Sequence, residues 1–193
     1  PKWQQVKGDV NVHCDAKLFI KALRKRVKAS EYIPKHQSWL DKTREWREKY
    51  DVVWPEKHAP GTVNPYMFMA ELGRVLQVGD VIVADCGGNV VVTNQAFRTK
   101  YGQRLVSSNG NSPMGFSFAG AMGACFASDV GQIVCIIGDG GFQVNIQELQ
   151  TVKHYALPVK VFILNNLCYG ITKAYKDVNF DGRYIACGPE GYS

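Results

Sequence analysis

Residues 137–166 read IGDGGFQVNIQELQTVKHYALPVKVFILNN. An aspartate among glycines follows one aliphatic run, and a doubled asparagine follows the next. The stretch predicts strand, glycine turn, helix, turn and strand. In such a unit both strands point the same way and the crossover is right-handed, so their C-terminal ends share one edge of the sheet. Asp139 and Asn166, 27 residues apart in sequence, are therefore expected side by side. That edge is where open α/β sheets bind ligands.

Working outward, "DVIVADCGGN" is a strand running into a glycine turn, and "QRLVSS" is a shorter strand. "MGFSFAGAMGACFAS" is apolar all round and rich in small residues, which predicts a buried helix. "GQIVCIIGDGG" and "PVKVFILNN" are further strands, with a helix over "NIQELQTVKHYAL" between them. Residues 65–77 open on Pro65 at the first helical position, another helix start. Continuous apolar strands alternating with helices predict an α/β fold, a parallel sheet covered by helices on both faces.

The first 60 residues have a different texture. A helix over 15–28 carries Leu18, Phe19, Ala22, Leu23 and Val27 on one stripe, with Asp15 as its N-cap. A second helix over 37–50 carries Trp39 and Trp46 one heptad apart, in a Trp- and Pro-rich connector expected to pack on a neighbouring domain. Residues 1–30 are expected to end one domain, 31–60 to link, and 61–193 to form the next. No final helix is expected after "PVKVFILNN", and the fold is expected to be incomplete at both ends.

The net charge of +6 lies entirely in residues 1–60, which hold 14 Lys and Arg against 8 Asp and Glu; the remainder holds 9 of each. A nucleic-acid groove needs its basic residues around the functional surface; these sit on two solvated helices, which argues against that class. No apolar run nears the roughly 18 residues that span a bilayer. The N-terminus lacks a secretory pattern, and the six cysteines form no C-x-x-C pair. They are expected to be reduced, mostly buried thiols of a cytoplasmic protein.

The residue types in the opening stretch suggest a chemistry. One carboxylate and one amide oxygen suit Mg²⁺, which takes its remaining oxygens from phosphate and water. Gly138, Gly140 and Gly141 let backbone approach a phosphate. A helix beginning near Val144 would aim its amides at the same anion. Alternatively, Asp139 alone only shapes the turn and caps the helix. A Walker motif is excluded because no G-K-[ST] follows, and the dinucleotide G-x-G-x-x-G pattern fails at Gln143. "DVNFDG" at 177–182 begins like a calcium loop, but its twelfth position is Gly188. The four histidines lack metal-ligand spacing, and no G-x-S-x-G elbow is present. With no protein nucleophile indicated, a cofactor is expected to be the reactive species.

GDGGF through the Asn pair resembles the thiamine diphosphate signature. "SPMGFSFAGAMGA", "GDGGFQVNIQELQT" and "LPVKVFILNN" resemble the diphosphate-binding (PP) domain of the acetolactate synthase group, over roughly residues 60–190. The resemblance implies the thiamine diphosphate-binding fold and a set of roles. Asp139, Asn166 and the backbone carbonyl of Cys168 would ligate Mg²⁺. Gly138, Gly140 and Gly141 would meet the diphosphate, and Gly87, Gly88 and Asn89 would line its pocket. Met114 would lie under the cofactor and bend its two rings together. Tyr169, Gly170 and Ile171 would border the pocket.

It also implies an enzyme that decarboxylates a 2-keto acid, then transfers or releases the aldehyde unit. Such a carboligase or lyase works as a homodimer or homotetramer. Its activating Glu sits in a pyrimidine-binding domain, usually of a partner subunit, that this stretch does not contain. Glu148 is no substitute, so no catalytic residue is expected here and the fragment alone should be inactive. Two departures stand out: Gly88-Asn89 where amino-acid-pathway members carry Gln-His, and Ala174-Tyr175 where they carry Gln-Trp. A simple 2-keto acid decarboxylase, or a non-catalytic remnant used in assembly, stays open. Phe116 and Phe118 are expected either at a subunit contact or buried within the fold.

Overall fold

A computed structural model describes residues 8–30, 36–53, 60–127 and 131–188. They fall into two compact units, Pro1–Tyr50 and Asp51–Ser193. The first holds α1 (Ala16–Ala29) and α2 (Gln37–Lys49). Asp15 caps α1, its Oδ1 accepting from Lys17 N and Leu18 N at 3.0 and 3.2 Å. Neither helix buries a residue. Trp39 and Trp46 meet edge to face on α2, ring centroids 5.6 Å apart. Trp54 lies outside the described residues.

The second unit is built on four parallel strands, β1 (Val81–Ala84), β2 (Arg104–Val106), β3 (Ile133–Gly138) and β4 (Val159–Leu164), in the order β2-β1-β3-β4. The chain goes from β1 outward to β2, then crosses back to β3 on the other side of β1. The β1–β3 boundary is thus a topological switch point, where a crevice opens beyond the strand ends. Alternation along the strands divides the core. Ile82, Val134 and Ile136 pack with Met69 and Leu72 of α3 (Pro65–Val75) and Val92 and Ala96 of α4 (Gly87–Ala96). Val81, Val83, Ile133, Cys135 and Ile137 pack with Phe118 and Ala121 of α5 (Phe116–Ala127), and with Val152 of α7 (Leu149–His154). Helices therefore cover both faces.

Several expectations are corrected. α4 follows the first glycine turn directly; its Gly-Gly-Asn opening and three valines are weak helix formers, and the packing of Val92 and Ala96 on the sheet overrides them. The helix after β3 begins at Asp139 itself, not near Val144: α6 (Asp139–Val144) passes through a 3₁₀ turn, Ile146–Glu148, into α7. A final helix does exist, α8 (Gly170–Asn179). α5 is not buried all round: only Ser117, Phe118 and Ala121 are, and Phe126 is largely exposed. Phe118 is fully buried in the chain's own core, 5.3 Å from the ring of Phe142. All six cysteines are free thiols, but only Cys135 and Cys187 are buried. Among the described residues, no helix is long and apolar enough to cross a membrane.

Candidate cofactor and metal site

A cavity of about 910 Å³ opens at the C-terminal ends of β1, β3 and β4. All thirteen residues named above for cofactor and metal border it: Gly87, Gly88, Asn89, Met114, Gly138, Asp139, Gly140, Gly141, Asn166, Cys168, Tyr169, Gly170 and Ile171. The register explains the meeting of the two motifs. Gly138 pairs with Leu164 across β3 and β4, so Asp139 and the Asn165-Asn166 pair leave the sheet at the same level.

Three oxygen-bearing groups converge there. The Asn166 amide presents one terminal atom 3.0 Å from Asp139 Oδ1 and 2.9 Å from the carbonyl oxygen of Cys168. Both neighbours are acceptors. With protein atoms alone, the amide nitrogen fits that place and donates to both. With a divalent cation, the amide oxygen fits. Octahedral Mg²⁺ at about 2.1 Å from each ligand sets adjacent ligand oxygens roughly 3 Å apart, the spacing found here. The other Asp139 oxygen, Oδ2, accepts from Leu167 N at 2.9 Å. Leu167 itself sits at φ 54°, in the left-handed region, where a bulky residue costs about 1 kcal/mol. That kink carries the chain from Asn166 to Cys168, so that the Asn166 amide meets both the Asp139 carboxylate and the Cys168 carbonyl. Among the described residues no three His, Cys, Asp or Glu side chains cluster as a metal site; this donor set is one carboxylate, one amide and one carbonyl.

Three of the helices that start at the cavity follow strands directly: α4 after β1, α6 after β3 and α8 after β4. Their N-cap residues, Cys86, Gly138 and Tyr169, make no side-chain capping bond. α3 also opens at the cavity, at Pro65, but there the Asn64 side chain caps it, Oδ1 accepting from Tyr66 N and Met67 N. Helix starts without such caps offer amides to an anion. The site's chemistry thus fits a diphosphate bridged to Mg²⁺.

Asn89 departs from a simple phosphate contact. It is buried, its Nδ2 donates to Cys86 O at 2.6 Å, and its Oδ1 has no partner. Oδ1, an acceptor, cannot bind a phosphate oxygen; of this side chain only Nδ2, which carries two hydrogens, could donate to one. Tyr175 does not border the cavity; its ring lies 6.0 Å from Phe180. Glu148 accepts from the Thr151 hydroxyl at 2.7 Å and is likewise not at the cavity. Asp177, at the start of the calcium-like stretch, is bound to Lys173 and to the Tyr184 hydroxyl.

Sequence inspection missed Asp85, which also borders the cavity. Only 1% exposed, it accepts from Gly115 N at 3.1 Å and Ser117 N at 2.9 Å. A Cβ on Gly141 would stand 2.3 Å from its Oδ2, so the glycine turn and the carboxylate require each other. The available signal was an aspartate directly after a buried strand and before Cys-Gly-Gly. Burial, then the charge of Asp85 and the thiol's hydrogen bond to it, push Cys86 up to about 11. At neutral pH Cys86 is a thiol rather than a nucleophile.

The class defined by this fold and site is a parallel α/β domain with a cavity at its strand ends whose lining suits an anionic ligand. Residues 85–192 match the family described as "Thiamine pyrophosphate enzyme, C-terminal TPP binding domain". The chain belongs to that family and is acetolactate-synthase-like within it. It is 35% identical over 154 residues to the acetolactate synthase large subunit of Parasynechococcus marenigrum, covering 79% of this chain and 24% of that one. The Cyanidium caldarium large subunit is 31% identical over 173 residues, 88% of this chain and 29% of that one. The Buchnera aphidicola (Schizaphis graminum) large subunit is 27% identical over 179 residues, 93% and 31%. The chain spans about a quarter to a third of the length of these curated relatives.

Proposed function

We propose that this chain is the cofactor-holding domain of an enzyme that decarboxylates a 2-keto acid and transfers or releases the aldehyde unit, binding thiamine diphosphate through Mg²⁺. The observation that carries the metal assignment is the meeting of the Asp139 carboxylate and the Cys168 carbonyl on the Asn166 amide, at 3.0 and 2.9 Å. Bound there, thiamine diphosphate would supply a carbon nucleophile and electron sink. The chain's own residues bind and orient. Asp139 and Asn166 hold the cation, and the amides opening α4 and α8 face the diphosphate. Met114, 38% exposed at the cavity wall, gives the rings an apolar support. Ile163 and Ile171 add apolar lining that would pack against the bound cofactor.

In this reading residues 1–30 end a preceding domain, 31–60 are a connector and 61–193 form the cofactor domain. The working protein is a homodimer or homotetramer in the cytoplasm, in which a pyrimidine-binding domain supplies the activating Glu. Simple decarboxylation is a second reading. It is favoured by Tyr175 lying off the cavity, where a residue shaping a site for a second keto acid would be needed.

Calorimetric titration of thiamine diphosphate with and without Mg²⁺ tests the binding claim. Affinity that requires the metal is expected; metal-independent affinity would contradict it. Release of CO₂ from pyruvate should be undetectable for the isolated chain. Restoration by an added Glu-bearing pyrimidine domain would support the division of labour, and turnover by the chain alone would refute it.

A further inference from the structure

The segment leading into α5 is held in a way the cofactor assignment leaves unexplained. Residues 109–113 are exposed, and Met114 follows them at the cavity wall. The next residue, Gly115, is gripped on both sides of its backbone. Its N–H donates to Asp85 Oδ2 at 3.1 Å, and its carbonyl accepts from Asn145 Nδ2 at 2.8 Å. Asp85 Oδ1 takes Ser117 N as well, at 2.9 Å. Gly115 has φ +85°, and a Cβ there would stand 2.7 Å from Asn145 Nδ2. So glycine is required by both the backbone angle and the closeness of the amide. The two anchors come from different strand ends: Asp85 follows β1, and Asn145 ends the helix that follows β3.

We propose that Asp85 and Asn145 form a clamp on Gly115 that fixes where Met114 stands, making them positioning residues for the ring-bearing half of the cofactor rather than for its phosphates. The inference rests on the thiamine diphosphate assignment above and deepens it. Its logic is registration. The β1 end also carries Gly87 and Gly88, and the β3 end carries Asp139. Anchoring Gly115 to both sets the apolar support at a fixed height relative to the phosphate and metal turns. Backbone groups at the foot of an exposed loop need partners in any case. A carboxylate accepting two amides makes charge-assisted bonds stronger than neutral ones.

The test separates the two halves of the ligand. The full chain, with Asn145→Ala, Met114→Ala and the double variant, is titrated calorimetrically with Mg²⁺ plus thiamine diphosphate, and separately with Mg²⁺ plus inorganic pyrophosphate. Asn145 is only half-buried, so its removal leaves the core intact. Asn145→Ala is expected to weaken thiamine diphosphate about tenfold, the equivalent of one lost hydrogen bond, with pyrophosphate changed less than about twofold. The double variant should be no weaker than Met114→Ala alone, since the clamp acts through Met114. Equal weakening of both ligands, no weakening, or additive effects would overturn the clamp. A ligand-free readout decides it independently: the methyl resonance of isotopically labelled Met114 should shift or broaden in Asn145→Ala, and an unchanged resonance overturns the proposal. If the unsubstituted chain binds neither ligand, the cofactor assignment fails and the methyl spectrum still judges the clamp.

Discussion

Two buried aspartates flank β1, and they do the same local work at opposite ends of the sheet. Asp80, 2% exposed, accepts from Gln77 N at 2.7 Å and Gln132 N at 2.8 Å; a Cβ on Gly131 would meet its Oδ1 at 2.5 Å. Asp85, 1% exposed, accepts from Gly115 N and Ser117 N, and a Cβ on Gly141 would meet its Oδ2 at 2.3 Å. Each carboxylate ties a loop to the strand and demands a glycine opposite. Around Asp80 the neighbouring carbonyls are themselves covered: Gln103 Nε2 donates to Gln77 O at 2.8 Å, and Lys100 Nζ donates to Leu76 O. Around Asp85 three helices start without side-chain caps, and Asn89 Oδ1 lacks a partner. The aspartates alone do not tell the two ends apart; the helix starts without side-chain caps and the one orphaned Asn89 oxygen beside Asp85 do.

This contrast can be broken most forcefully at the carboxylates. Asp80→Ala and Asp85→Ala each strand two backbone amides, at a cost of about 1–3 kcal/mol apiece. Both should lower the unfolding midpoint in urea, Asp85→Ala by more because the amides it strands are buried, and only Asp85→Ala should also weaken thiamine diphosphate. Equal loss of ligand affinity would erase the distinction. The opposing glycines sharpen it. Gly131→Ala and Gly141→Ala force a methyl against a fixed carboxylate, an overpacking cost of about 1–3 kcal/mol. Denaturant curves should move alike, whereas calorimetry should register only Gly141→Ala.

A third effect is titrational. Because burial and Asp85 raise Cys86 from 9.0 to about 11, the unfolded chain gives up that proton first. Stability contributed by this thiol is complete below pH 9 and drains away between pH 9 and 11. Iodoacetamide at pH 8 should label exposed Cys14 before Cys86, as followed by peptide mass analysis; Cys86 reacting first would contradict the assignment. The smallest effect belongs to Leu167. Leu167→Gly removes the left-handed penalty but loosens the unfolded chain, so stability should change by less than about 1 kcal/mol.

Much of this was legible in the chain because it is local or periodic. Aliphatic runs marked β1, β3 and β4, and the right-handed crossover rule alone brought Asp139 beside Asn166. What escaped has two causes. α4 and α8 hide behind glycine openings; for α8 the spacing of Ile171, Tyr175 and Val178 was a usable helical signal. Asp85 and Asn145 act on Gly115, 30 residues away from each. A hydrogen bond over that separation leaves no periodic trace; it becomes visible only when β1 and β3 are placed next to each other. Likewise the switch point depends on β2 lying outside β1, which no residue pattern states.

The central claim is that Asp139, Asn166 and the Cys168 carbonyl share one divalent ion bound to thiamine diphosphate. It is tested most directly by crystals grown with Mn²⁺ and thiamine diphosphate. The account predicts one anomalous peak about 2.1 Å from all three oxygens and from a diphosphate oxygen, and no such peak in Asp139→Ala. A peak elsewhere in the cavity, or the diphosphate seated there without a cation at these groups, would contradict it.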